Sequence, residues 1–158
     1  MIVISDTSPI NYLVLIDEIE LLAKLFKEII IPPAVLSELQ RNEAPEKVRA
    51  WIAASPTWLN VRAASAIDPT ITLGAGECEA ISLAKEINAD LILIDDKKAR
   101  QAAIERGLTV AGTLNVLELA SVKNLIELRE VFDKLKQTNF RVSQTLLDEA
   151  LEREKRRK

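Results

Sequence analysis

Two rhythms of apolar and polar positions alternate along the chain. Short runs rich in Ile, Val and Leu predict strands at Ile2–Ile4, Glu28–Ile31, Leu59–Val61, Leu91–Ile94 and Leu108–Val110. Between them, apolar residues recur at helical spacing over Ile19–Phe26, Ala34–Arg41, Glu46–Ala54, Ala75–Ile87 and Lys98–Arg106. Three further helices follow without intervening strands, at Leu114–Val122, Leu125–Lys136 and Ser143–Arg153. Pro32-Pro33 marks a helix start, because proline is tolerated in a first turn, and Gly107 stands where a C-terminal cap glycine would. Strand–helix alternation of this kind predicts one parallel sheet covered on both faces. The segment "SAIDPTITLGAG" is the most loop-like, but no linker or repeat divides the 158 residues, so one domain over residues 1–158 is expected.

Carboxylates interrupt this pattern at strand ends. "MIVISDTSP" runs an apolar strand into Asp6, and "LILIDDKKAR" runs another into Asp95 and Asp96. In open parallel sheets ligands bind beyond the carboxyl ends of the strands, where all three acids would lie. One acid there can simply cap the next helix, a common role contributing ~1 kcal/mol. A second adjacent acid adds repulsion and needs another reason. Glu77 aligns with Ala80, Ile81 and Ala84 at about 100° per residue, which turns it inward at the start of its helix, while Glu79 falls on the opposite, solvated face with Glu86. Favourable interaction with the helix N-terminus is the alternative account of Glu77. Glu38 flanks the apolar positions Val35, Leu36 and Leu39, where a solvated or half-buried carboxylate is the ordinary reading. Cys78, Trp51 and Trp58 read as packing residues.

Composition narrows the chemistry. The chain has no histidine and one cysteine, which excludes Ser-His-Asp and Cys-His mechanisms, histidine-ligated zinc and any intrachain disulfide. Oxygen ligands remain, and these suit Mg2+ or Mn2+. Two like charges about 4 Å apart at an effective dielectric near 20 repel by ~4 kcal/mol. Acids gathered at one sheet edge therefore either take up protons or share a divalent cation. The net charge of −3 gives no general attraction to nucleic acid, but basic residues cluster after the Asp pair and in the closing "EREKRRK". The single cysteine and the brevity of the first apolar run lead to the expectation of a cytoplasmic protein, with no membrane association.

Four of these features, taken in order, resemble the PIN-domain family of metal-dependent ribonucleases, which includes VapC-type toxins. "VISDTSP" matches the opening strand with its acid and hydroxyl residues, "PPAVLSEL" supplies Glu38, "GAGECEAISLA" supplies Glu77, and "LIDD" ends the fourth strand eighteen residues after Glu77. Glu77 stands where Asp is frequent in the family, and "LIDD" departs from the common Thr-x-Asp. "IDDKKAR" and "GLTVAGTLNVL" are similar to a toxin-like prokaryotic branch. The match runs to about Thr113, leaving residues 114–158 as a helical extension with a basic tail.

The resemblance implies a three-layer α/β/α sandwich with the parallel sheet ordered 3-2-1-4-5, and Mg2+- or Mn2+-dependent hydrolysis of RNA. It makes Asp6, Asp95, Asp96 and Glu77 metal ligands and brings Glu38 into the catalytic set. Thr7 or Ser8 would orient a carboxylate or the scissile phosphate. Lys97, Lys98, Arg100 and the basic tail would hold flanking phosphates, and a homodimer and a cognate antitoxin are the implied partners. A degenerate PIN fold acting only as a binding module is the competing class. A receiver or an Asp-nucleophile phosphatase is disfavoured because "SDTS" lacks a second Asp and "WLNVR" ends with none.

Overall fold

The computed structural model describes all 158 residues. Its strands are β1 (Val3–Ser5), β2 (Ile29–Ile31), β3 (Leu59–Val61), β4 (Leu91–Leu93) and β5 (Val110–Ala111). All pair in parallel, in the order β3-β2-β1-β4-β5. Strand positions alternate between two apolar layers, as a period of two requires. Val3, Ile29, Ile31 and Leu93 join the larger core cluster, whereas Ile4, Ile92 and Ile94 join the smaller.

The smaller layer is covered by α5 (Ala75–Glu86) and α6 (Lys97–Glu105). The larger is covered by α1 (Thr7–Leu15), α2 (Leu21–Phe26), α3 (Pro33–Gln40), α4 (Glu46–Ala53), α7 (Thr113–Val122), α8 (Leu128–Lys136) and α9 (Gln144–Arg157). The C-terminal helices are part of that core. Val116, Leu117, Ala120, Leu128, Val131, Phe132, Leu135, Leu147 and Ala150 pack in the same cluster as Val3 and Leu93. No helix is long and apolar enough to cross a membrane.

Boundaries differ from the sequence expectation where local chemistry overrides apolar spacing. The apolar stretch after Asp6 forms two helices, separated by a turn in which Asp17 has φ 60°. α8 starts at Leu128 because Asn124, at φ 58°, turns the chain just before it. α9 runs through the basic tail to Arg157, with Lys155, Arg156 and Arg157 at its C-terminal, negative dipole end. At the end of α6, Gly107 at φ +80° donates to the Ile104 carbonyl while the Leu108 amide reaches Ala103, closing the helix as a glycine cap.

The register positions the site. Ser5 pairs with Leu93, so Asp6 leaves β1 beside Ile94, one residue before Asp95. The Asp6 amide still donates to the Leu93 carbonyl at 2.9 Å. Strand order reverses between β1 and β4, which puts both acids at the crevice where such sheets bind ligands.

Candidate active site

Asp6 occupies the N-cap position of α1, yet its side chain does not cap that helix. It is 4% exposed, and its Oδ1 is buried without any hydrogen-bond partner. Burial pushes the carboxyl up to about 7, the adjacent Thr7 amide partly offsets this, and the charges of Glu77, Glu38 and Asp95 push it further. The capping account of Asp6 therefore fails. A buried carboxylate with an orphan oxygen, facing three other acids, suits a cation.

Each neighbouring acid has a specific seat. Glu38, half-buried on α3, accepts a short hydrogen bond from the Thr7 hydroxyl and one at 3.2 Å from the Gly76 amide. Its position is thus fixed from α1 and α5 together. Glu77, in the first turn of α5, is raised by burial and by the nearby Asp96 and Glu38 charges, against the pull of the Gly74 amide. Asp95 accepts 2.6 Å and 2.7 Å hydrogen bonds from the Thr113 amide and hydroxyl. Burial raises its carboxyl, and those bonds together with the Arg100 charge oppose the rise. Asp96 is exposed and caps α6 through the Ala99 amide at 3.0 Å. The adjacent Asp pair therefore divides its work. Asp96 accounts for the helix cap, and Asp95 turns into the crevice.

Gly76 carries a steric requirement. A Cβ there would lie 2.7 Å from Glu38 Oε1. Gly76→Ala is expected to displace Glu38 and destabilise the fold by about 1–3 kcal/mol, as overpacking typically does. A lower denaturation midpoint in urea checks this, and an unchanged one would show that Glu38 moves freely. Gly112 is comparable, since a Cβ there would meet Arg100 Nη1 at 2.6 Å and Asp95 Oδ1 at 2.8 Å.

Glu79 corrects the helical-face reading. It is half-buried, and its carboxylate accepts from the Ala34 amide at 3.0 Å and the Ala64 amide at 3.3 Å, tying α5 to the start of α3 and to the loop after β3. Among the basic residues, Lys97 and Arg100 face a groove that opens from Asp95, whereas Lys98 lines a separate depression beside Thr70–Leu73. Lys155 and Lys158 of the tail line another depression with Arg129, distinct from the acidic crevice.

Sequence reasoning assigned no role to Thr113, which is fully buried. Its signal was present in "AGTLNVL", where a hydroxyl residue opens a helix directly after a strand, just as Thr7 does after Asp6. Asn115 supports the same turn by accepting from the Gly112 amide at 2.8 Å.

No three acids converge closely enough to enclose an ion unaided. A magnesium-type ion fits such a set by binding one or two carboxylates directly and keeping its waters, which the remaining acids then hold. Asp6 Oδ1 is the one buried side-chain oxygen without a hydrogen-bond partner.

Open parallel α/β sheets bind ligands at the strand-order reversal, and Asp6 and Asp95 stand there in this chain. A PIN-domain family model, DUF3368, matches residues 2–156, and the chain belongs to the PIN-domain family. PIN domains are generally nucleases that use divalent metal ions. The solved structure of a PilT N-terminus domain protein, SSO1118, from the hyperthermophilic archaeon Sulfolobus solfataricus P2 is similar in fold. It has a TM-score of 0.55 and 23% identity, over 74% of this chain and 91% of that one. A comparison with curated proteins gives no match.

Proposed function

We propose that this chain is a Mg2+- or Mn2+-dependent endoribonuclease that hydrolyses RNA phosphodiester bonds in the crevice around Asp6, in the manner of a toxin restrained by an antitoxin. The carrying observation is the buried, unpartnered Asp6 Oδ1 among the carboxylates of Glu38, Glu77 and Asp95. In this reading Asp6 and Asp95 hold the metal, and Asp96, Glu38 and Glu77 bind it directly or through its waters. The bound metal supplies an activated water and charge stabilisation at the phosphate. The Thr7 hydroxyl is committed to Glu38 and orients that carboxylate, which leaves the half-buried Ser8 as the hydroxyl available to a phosphate oxygen.

The absence of a closed three-acid cluster favours one competing reading, a PIN fold retained as a binding module. Calorimetry with Mn2+ and a cleavage assay on single-stranded RNA separate the two. Saturable Mn2+ binding together with cleavage that stops in excess chelator is the expected result. A flat titration with no cleavage would assign the fold to binding alone.

A further inference from the structure

A groove of about 930 Å³ opens from Asp95 and runs between α6 and α9, over the start of α7. Its α6 wall is the stripe Lys97, Arg100 and Ile104, residues that share one helix face. Ile104 is 50% exposed, and Leu146 on the α9 wall is also 50% exposed. Phe140 and Arg141, between α8 and α9, close one end.

That closing segment is firmly built. The Thr138 hydroxyl donates to the Leu135 carbonyl and accepts from the Phe140 amide. Phe140 packs edge-on against Tyr12 of α1 with ring centroids 4.8 Å apart, and the Tyr12 hydroxyl donates to Asn139 at 2.9 Å. Burial chiefly raises the Tyr12 phenol, the Asp95 charge adds to the rise and the Arg141 charge opposes it, so both charges act at this side chain. Lys97, Arg100 and Arg141 form no ion pair, whereas Arg153 on the α9 wall is matched by Glu118. Arg100 is shared with the Asp95 charge and donates to the Ile94 carbonyl at 3.3 Å, so Lys97 and Arg141 are the cations of this groove without an acidic partner, and in a chain of net charge −3 they call for an anionic occupant.

We propose that this groove is the path of a single-stranded RNA substrate, with phosphates on Lys97, Arg100 and Arg141 and bases against Ile104, Phe140 and Leu146. The groove shares Asp95 with the acidic crevice and carries both cationic and apolar side chains, the two contacts a single strand offers. Arg141 then becomes a substrate-binding residue contributed by the C-terminal segment. The inference rests on the ribonuclease reading and extends it to how the strand is held.

The test uses the full chain carrying Asp6→Asn and a fluorescein-labelled ten-nucleotide RNA, followed by anisotropy across a salt series. Adding Arg141→Ala is expected to weaken binding by about tenfold, the low end for a charge-assisted contact. The dependence of log K on log salt should flatten by about 0.7, one phosphate on a single strand. Lys123→Ala and Arg129→Ala, charge-matched changes outside the groove, should move neither quantity. Equal effects from these controls, or none from Arg141→Ala, would overturn the proposal. So would a deca-glutamate peptide that binds as tightly as the RNA and loses affinity equally on Arg141→Ala, because the groove would then serve an acidic protein partner. Cleavage by the Asp6-containing chain keeps the two readings separate. If Arg141→Ala leaves metal-dependent cleavage of the ten-mer intact, the groove assignment fails and the nuclease reading stands. If no RNA is cut under any metal while the anisotropy results hold, the nuclease reading fails and the strand path stands.

Discussion

Asp6→Asn should abolish metal-dependent RNA cleavage while making the metal-free protein more stable above neutral pH. The loss of rate is expected on the order of 10³-fold, equivalent to the several kcal/mol that a metal's charge stabilisation supplies. The gain in stability follows from the same side chain. Asp6 carries a buried charge with an unsatisfied oxygen beside other carboxylates, and Asn keeps its shape without that charge. A structural acid would show the opposite pairing, with stability lost alongside activity. Cleavage rates and melting temperatures in chelator, measured on both proteins, decide the matter. Undiminished cleavage by the variant would end the nuclease reading.

The second expected result is a fall in metal-free stability as pH rises from about 4 to about 7. Folding lifts the Asp6 carboxyl from 3.8 to about 7, so between those values the folded chain holds a proton that the unfolded chain has released. Stability must then decline with rising pH across that window and level off above it. For so buried a group the effect is on the order of a few kcal/mol, or roughly 5–10 °C in Tm for a chain of this size. Glu77 and Asp95 are raised as well and act in the same direction. Asp68, held down to about 2 chiefly by the Thr70 hydroxyl and amide with Arg106, acts with opposite sign between about pH 4 and 2, outside this window. Saturating Mn2+ should raise Tm strongly at pH 8 and little at pH 5, and Asp6→Asn should flatten the metal-free profile. A pH-independent Tm in chelator would contradict the crowding on which the site depends.

Strand existence was legible because Ile, Val and Leu runs buried in two layers leave few alternatives. The placement of Asp6 and Asp95 followed, since both sit within two residues of the end of such a run. Helix faces were harder to read. The stripe that turned Glu77 inward assumed one buried side, but α5 is covered nearly all round, with Gly76, Cys78 and Ala80–Ala84 all buried. Glu79 was misread for that reason. Periodicity orients a side chain relative to its own helix and is silent about backbone amides that arrive from α3 and the loop after β3. The same limit hid Thr113, whose partner Asp95 follows β4, and the segment of Arg141, whose Phe140 and Asn139 contact Tyr12 of α1. The two Asp side chains in "LIDD" were separable only by their hydrogen bonds.

The shared core of the C-terminal helices limits how far this chain can be shortened. Phe132, Leu135, Leu147 and Ala150 are anchored among the residues that also pack Val3 and Leu93 behind the acids. Trimming the chain after α7 would strip apolar cover from the central strands, so the wall bearing Arg141 cannot be discarded while the acidic end stays intact. The outward-facing positions of α6 and α9 carry no such burden, and residues there can be exchanged without disturbing what holds the carboxylates together.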